Sequence, residues 1–335
     1  MNDKLTVLVT GGAGYIGSHA VLALRDAGWP VVVIDDLSTG FYDAVPGDVP
    51  FYEGDVSDTV LLEQVFIEEG IGAIMHFAGS IVVPESVSDP LAYYDNNTVK
   101  SRALIEAAVE GGVSRFLFSS TAAVYGLAPG GVVTEKSPPQ PINPYGWSKL
   151  MTEQMLADTG RAHDLSWTAL RYFNVAGADP KGRTGQSTDG ATHLIKVACE
   201  AALGKRDGVA IFGTDFDTPD GTGVRDYIHV SDLAQAHVLA LESMIEEPGA
   251  ARIMNCGYGH GFSVREVLDT VRRVSGRDFE VEMSARRPGD AGKLVSDASL
   301  LRETLGWEPR YDDLDTIVRH ALQWEGRPAP ALQPA

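Results

Sequence analysis

Cysteine is nearly missing from this sequence: Cys199 and Cys256 are the only two. They stand far apart, without the paired spacing of a zinc ribbon or the even framework of a disulfide-stapled secreted domain, so the fold must hold by burial alone. No metal site is expected. Long apolar runs are missing too. Nothing approaches the roughly 18 apolar residues of a membrane span, and the opening MNDKLTVLVT is too short an apolar run for a secretory signal. Positive charge is also short, with 27 Lys and Arg against 46 Asp and Glu and a formal net charge of −19. That balance repels phosphate backbones and anionic lipid. The expectation is a soluble, cytoplasmic protein with neither nucleic acid nor membrane as partner. An anionic small molecule would need locally placed arginines.

What is present is ordinary globular material: 335 residues, 44% hydrophobic and 22% charged, enough for one large domain and a smaller one. Apolar runs of strand length at residues 5–10, 31–35, 73–77, 116–119 and 166–171 alternate with helical spacing, as at 15–27 and 97–110. This rhythm predicts βαβ units, hence an α/β fold built on a doubly wound parallel sheet with helices on both faces. There is no internal repeat, and the one biased tract is a Pro-rich tail after Trp324. Past about Phe173 the rhythm weakens, and Gly, Asp and Thr cluster at 177–190 and 213–223. The expected division is residues 1–175 for the sheet domain, with a returning segment near 224–252, and 176–335 mainly for a smaller mixed α/β substrate domain whose loops close over whatever the first domain binds.

The first strand runs directly into Gly11-Gly12-Ala13-Gly14-Tyr15-Ile16-Gly17, and a helix follows at once. Glycines at that turn allow a tight bend (Gly11), close backbone approach to a pyrophosphate (Gly14) and close helix–strand packing (Gly17). Tyr15 and Ile16 open the helix whose N-terminus would face the phosphates. The second strand ends in Asp35-Asp36, where a carboxylate can accept from ribose hydroxyls. No arginine follows to hold a 2′-phosphate, so NAD is favoured over NADP. Asp55 and Val56 after the third strand are expected at the adenine. Phe77, Ala78 and Gly79 after the fourth are expected along the cofactor, and Asn96 at the start of the next helix. His76 reads as a packed strand residue.

Asn143-Pro144-Tyr145-Gly146-Trp147-Ser148-Lys149 reads as a helix cap, a proline in the first turn, and Tyr and Lys four apart on one face. The strand before it ends Phe118-Ser119-Ser120-Thr121, delivering a hydroxyl to the carboxyl edge of the sheet, where ligands bind in such folds. A tyrosine of pKa about 10 is a poor base at neutral pH. The Lys149 ammonium and a cationic nicotinamide would each favour its phenolate.

The Gly-rich turn, the strand-five hydroxyl and the Tyr-x-x-x-Lys together resemble the extended short-chain dehydrogenases. The stretches HFAG, YYDNN, FSST, NPYGWSK, RYFNVAGA and DGTGVRDYIHV resemble the UDP-glucose 4-epimerases among them, from about Leu5 to Trp324. The resemblance implies a Rossmann domain with tightly bound NAD and reversible inversion at carbon 4 of a UDP-sugar through a transient 4-keto sugar. Tyr145 would take the 4-hydroxyl proton while hydride passes to NAD, Thr121 would hold the sugar oxygen, and Lys149 would also fix the nicotinamide ribose. It further implies Phe173 beside the nicotinamide and Asn174, His193, Leu194, Arg225, Arg287, Asp290 and Leu294 around the substrate. Asp226 and His229 are read as fixing the returning strand.

Four positions depart from the family pattern. Thr121 replaces a more usual serine but keeps the hydroxyl. Ile81 stands where many epimerases have a lysine near the cofactor phosphates. His193 replaces an asparagine that contacts substrate phosphates. Leu294 stands where enzymes confined to non-acetylated sugars have tyrosine, which leaves room for N-acetylhexosamines. UDP-glucose/UDP-galactose is the leading pair, with N-acetyl forms and the pentoses xylose and arabinose open. A dehydratase would carry Asp-Glu where this chain has Ala122-Ala123; a net dehydrogenase would want a pocket cysteine, whereas Cys199 and Cys256 read as core; and a non-enzymatic NAD sensor commonly loses the tyrosine or lysine. A homodimer is expected through helices 97–110 and 146–159, using Val99, Leu104, Met151 and Met155.

Overall fold

The computed structural model describes residues 4–287 and 289–327; Pro288 of the RRPGD stretch and most of the Pro-rich tail lie outside them. Numbered along the chain, β1 (Thr6–Thr10), β2 (Val31–Asp35), β3 (Phe51–Glu53), β4 (Ile71–His76), β5 (Arg115–Thr121), β7 (Ser166–Tyr172) and β12 (Ala251–Cys256) form a seven-stranded sheet in the order β12-β7-β5-β4-β1-β2-β3. All its pairings are parallel. Successive strand residues point to opposite faces, and the core divides accordingly. Val7, Val9, Val33 and Met75 pack toward helices α1 (Tyr15–Asp26) and α8 (Val230–Glu246). Leu8, Val32, Ile34 and Ile74 pack on the other face, with α2 (Thr59–Glu69), α5 (Lys100–Glu110) and α6 (Pro144–Ala162). The chain winds outward from β1 to β3 and then restarts at β4. The switch point therefore lies between β1 and β4, whose carboxyl ends meet at the pair Thr10 and His76.

The fifth strand reaches Thr121, as its sequence predicts, so the hydroxyl belongs to the sheet and inherits its rigidity. Two other segments differ from their expected extents. The expected helix over 97–110 is broken: short helices α3 (Val83–Ser88) and α4 (Pro90–Tyr94) lead into a π-turn at Asp95–Val99 before α5 begins. Side-chain bonds displace the regular ladder here. The Asn97 carboxamide holds both backbone groups of Ser80 (2.7 and 2.9 Å), and the Ser101 hydroxyl donates to the Asn97 carbonyl (2.5 Å). The chain also returns to the large sheet through Cys256, the end of its outer strand, rather than stopping near 252.

The rest forms three small sheets: β6 (Val132–Val133), β10 (Val224–Arg225), β13 (Phe262–Ser263) and β15 (Lys293–Ser296); β8 (Asn174–Ala176) with β11 (Tyr227–His229); and β9 (Gly208–Phe212) with β14 (Glu280–Ser284). Helices α7 (Leu194–Ala202), α9 (Val264–Ser275) and α11 (Leu314–Glu325) pack around them, while α10 (Ser299–Leu305) packs on β12 and α8. Segment 177–190 docks on α1 of the first domain, where Tyr15 donates to the Gly177 carbonyl (2.7 Å), Ser18 meets Thr184 (3.0 Å) and Arg183 pairs with Asp26 (2.9 Å). Its polar side chains find fixed partners on that helix, which binds it to the domain's flank.

Among the described residues no helix is long and apolar enough to cross a membrane, and no group of three or more His, Cys, Asp or Glu is placed to hold a metal.

Candidate active site at the sheet's switch point

The glycines after β1 are held to their identity by backbone. Gly11 has φ +70°, and a Cβ on it would lie 2.6 Å from the Ala78 nitrogen; one on Gly17 would lie 2.0 Å from the Gly11 carbonyl oxygen. The turn is therefore pressed against both the β4 loop and the first turn of α1, whose cap is Gly14 with no side-chain bond. The N–H groups at that helix start face an anion's natural position. Gly17→Ala should consequently push the turn apart, costing about 1–3 kcal/mol of overpacking. A melting temperature lower by several degrees and a preparation depleted of NAD are the expected results; an unchanged melt with full NAD content would contradict this account.

Asp35 is buried and accepts from the backbone N–H groups of Ala13 (2.9 Å) and Leu37 (2.9 Å), which aims its remaining lone pairs across the turn. Burial raises its pKa, against those two bonds. Asp36 is exposed and capped by Ser38. Asp55 forms an ion pair with Lys100 (2.5 Å), and Val56 is buried in the core at the same edge. Phe77 and Ala78 both donate their backbone N–H to the Thr10 carbonyl, tying the two switch-point loops together. Gly79 has φ +149°, and a Cβ there would stand 2.9 Å from the Asn97 carboxamide and 3.7 Å from the Lys149 ammonium. Asn96 donates to the Ser80 hydroxyl (2.9 Å) from within the π-turn rather than from a helix start. His76 is a packed residue, bridging Thr10 (2.7 Å) and Ser101 (2.8 Å), and burial drives its pKa down to about 3.

Helix α6 begins where its sequence says. Asn143 accepts from the Gly146 N–H (2.8 Å) and Pro144 occupies the first turn. Tyr145 and Lys149 then point at the end of β5, both buried. The Thr121 hydroxyl, which accepts from the Ala123 N–H (3.1 Å), neighbours the Tyr145 phenol, and the Lys149 ammonium donates to the Ser119 carbonyl (3.1 Å). Burial raises the Tyr145 pKa above 10.0, and the neighbouring Thr121 hydroxyl draws it only partly back. Burial also lowers that of Lys149 to about 8. In the protein alone burial sets the Tyr145 phenol and Lys149 exerts no pull on it, so the expected lowering by Lys149 is absent there.

Phe173 is buried in a small cluster with Ala122, Val124, Tyr125 and Val133, against which Leu294 packs. Asn174, His193 and Leu194 line one cavity with Gln186, which holds His193 (2.8 Å). Arg225 stands 3.8 Å from Asp290. Arg287 is exposed and lies flat on the Phe212 ring, 3.7 Å away. Asp226 and His229 are structural, as expected: Asp226 is fully buried and accepts from Tyr258, Gly259 and Ser296, while His229 accepts from Ser231 (3.0 Å) and meets His320 (3.0 Å). Ile81 is exposed on the β4 loop. Both cysteines are buried with thiol pKa values pushed up by burial.

The sequence reading missed the polar layer beneath this site. Ser120 donates to Glu153, which forms a buried bidentate ion pair with Arg171. The spacing of Tyr145, Lys149 and Glu153 was a usable signal, since all three fall on one helical face.

The fold and its Gly-rich turn define a dinucleotide-binding α/β protein, with Tyr145 and Lys149 buried together at the end of β5. The sequence profile of the NAD dependent epimerase/dehydratase family matches residues 7–257, and the chain belongs to that family. It is 60% identical to the UDP-glucose 4-epimerase of Azospirillum brasilense, over 95% of this chain and 91% of that one. The crystal structure of UDP-glucose 4-epimerase from Brucella ovis in complex with NAD is similar at a TM-score of 0.93 and 45% identity, covering 96% of this chain and 98% of that one. The UDP-Glc/GlcNAc 4-epimerase of Campylobacter jejuni is similar at 0.84 and 48%, covering 96% and 99%. The cofactor is NAD. The switch-point cradle fits it: a side chain at Gly11 or Gly17 would fill the turn, and Asp35 closes it with a carboxylate.

Proposed function

We propose that this chain inverts carbon 4 of a UDP-sugar, with UDP-glucose and UDP-galactose as the leading pair. The observation that carries the reading is the convergence of Thr121, Tyr145 and Lys149 at the end of β5, beside the switch point where the dinucleotide belongs. Bound NAD supplies the hydride acceptor and donor and a cationic ring that favours the Tyr145 phenolate. Tyr145 takes the 4-hydroxyl proton and later returns it, and Thr121 holds the same oxygen. Lys149 holds positive charge near the phenol and anchors the cofactor ribose, while Phe173 and Leu294 wall the sugar. The 4-keto sugar turns over between the two hydride transfers, so no net oxidation results. Gly11, Gly14, Tyr15, Ile16, Gly17, Asp35, Asp36, Asp55, Val56, Phe77, Ala78, Gly79 and Asn96 serve the cofactor. Asn174, His193, Leu194, Arg225, Arg287 and Asp290 serve the nucleotide and its diphosphate, the guanidinium forks being suited to phosphate oxygens. Residues 176–335 then make up most of the substrate side.

The test is a panel of UDP-sugars followed for interconversion without net NADH. Equilibration of UDP-glucose with UDP-galactose supports the reading, and stoichiometric NADH release overturns it. The likeness to the Campylobacter jejuni enzyme and the modest bulk of Leu294 favour acceptance of N-acetylated sugars as well. Leu294→Tyr should cut kcat/KM for UDP-N-acetylglucosamine by tenfold or more and leave UDP-galactose within about twofold, since lost pocket volume costs roughly 1–3 kcal/mol. Equal effects on both sugars would remove Leu294 as a gate.

Two copies are proposed to pair through α6 and its neighbours, where Leu91, Val99, Trp147 and Met151 are exposed together with Val87. Leu104, expected at that contact, is wholly buried in the core, and Met155 packs partly against it.

A further inference from the structure

Three consecutive residues at the end of β5 each face one of three residues spaced by four along α6. The Ser119 carbonyl accepts from Lys149 (3.1 Å) and the Ser120 hydroxyl donates to Glu153, while the Thr121 hydroxyl neighbours the Tyr145 phenol. The third rung carries the chemistry. The second lies on completely buried groups and is fixed from a third direction: Arg171 pairs in register with Ser120 on β7 and grips Glu153 with Nε (2.9 Å) and Nη2 (2.5 Å). The guanidinium also stacks on Tyr125 (4.9 Å), whose hydroxyl donates to Asn255 on β12 (2.6 Å) and whose ring belongs to the cluster around Phe173 and Leu294.

Such a layer is poor at stabilising a fold. Desolvating two charges consumes most of what their attraction returns, and apolar residues of the same volume often do as well or better. What it supplies is geometry, because a bidentate pair tolerates one arrangement where an apolar contact tolerates many. We infer that Ser120, Glu153 and Arg171 are positioning residues, which set the Thr121 and Tyr145 oxygens at the separation that proton transfer requires. This rests on the UDP-sugar 4-epimerase reading above. The pull acts through one peptide unit to Thr121 and through two helical turns to Tyr145, and a displacement of an ångström at a reacting group is enough to slow a reaction about a hundredfold.

The experiment uses the NAD-loaded enzyme and begins with the unaltered chain on UDP-galactose; absence of turnover there overturns the functional reading itself. Given turnover, Ser120→Ala removes one rung without unpairing a charge. The expected result is kcat lower by about tenfold, with KM, melting temperature and bound NAD unchanged. The double variant Glu153→Leu with Arg171→Met removes the layer and leaves no buried charge unpaired. It should melt at or above the temperature of the unaltered chain while kcat falls by about a hundredfold, and Arg171→Lys, which keeps charge but loses the fork, should not restore it. If the double variant fails to fold, the kcat and KM of Ser120→Ala decide alone. Turnover within twofold of the unaltered enzyme in Ser120→Ala, or losses of kcat that track losses of melting temperature across the set, would overturn the positioning role.

Discussion

Tyr145→Phe should lower turnover of UDP-galactose by about 10²–10⁴-fold while NAD remains bound, because it removes the phenol oxygen that faces Thr121. The ring stays, so the first turn of α6 and its Asn143 cap should be undisturbed. The pH dependence separates this from a packing effect. In the protein alone burial holds the Tyr145 phenol above its ordinary value of 10.0, so the base form is scarce at neutral pH and must be recovered from the cationic cofactor ring and the Lys149 ammonium. Turnover of the unaltered enzyme should therefore climb toward alkaline pH as the phenolate fraction grows. The residual turnover of Tyr145→Phe should lack that climb, and its NADH absorbance on mixing with UDP-galactose should rise slowly if at all. A variant that retained more than a tenth of the turnover, with the same alkaline rise, would show that another group takes the proton. Thr121, held to the Ala123 N–H (3.1 Å), would then be the next candidate.

Much of this site was legible in the sequence because its parts are local. Gly11 to Gly17 sit between a strand and a helix, and the cap, proline, tyrosine and lysine of α6 follow one another within a few residues. Local rules of turn and capping chemistry suffice there. Asp35 was legible as a strand-end carboxylate, though not that two backbone N–H groups would hold it. What escaped depends on contacts between distant segments. The π-turn at Asp95–Val99 arises from bonds between Asn97, Ser80 and Ser101, which no helical periodicity records. That Tyr15, Ser18 and Asp26 of α1 hold segment 177–190 could not be read from its composition. Leu104 looked like an interface residue on an amphipathic helix, and the sheet beneath claims it. The layer of Ser120, Glu153 and Arg171 needed the pairing register of β5 with β7 before its members could be seen as one unit.

Lys149→Met should inactivate the enzyme and stabilise the cofactor-free fold at the same time. Burial brings the folded-state pKa of Lys149 from 10.5 down to about 8. Between those two values the unfolded chain binds the proton that the folded chain has lost, so stability contributed by this group rises with pH across that window. Below about pH 8 the ammonium is held in a buried site at a cost of roughly 3 kcal/mol. Methionine, of similar length, removes that cost. It also forfeits the bond to the Ser119 carbonyl and the contact of the ammonium with the Phe118 ring (5.0 Å), together worth about 1–2 kcal/mol. The net expectation at pH 7 is a gain of about 1–2 kcal/mol and a melting temperature a few degrees higher, measured with NAD removed from both proteins so that its binding does not contribute. The advantage should shrink as pH rises from about 8 toward 10, because the folded unaltered chain sheds the Lys149 proton there while the unfolded chain keeps it. Turnover should fall by about 10²–10⁴-fold at every pH, since neither the charge near Tyr145 nor the ribose anchor survives. A variant less stable than the unaltered chain at pH 7, with a difference indifferent to pH, would mean that Lys149 is held in the fold for its bonds. A stabilised, inactive variant would mean that the fold tolerates a buried charge at this position because the reaction requires it.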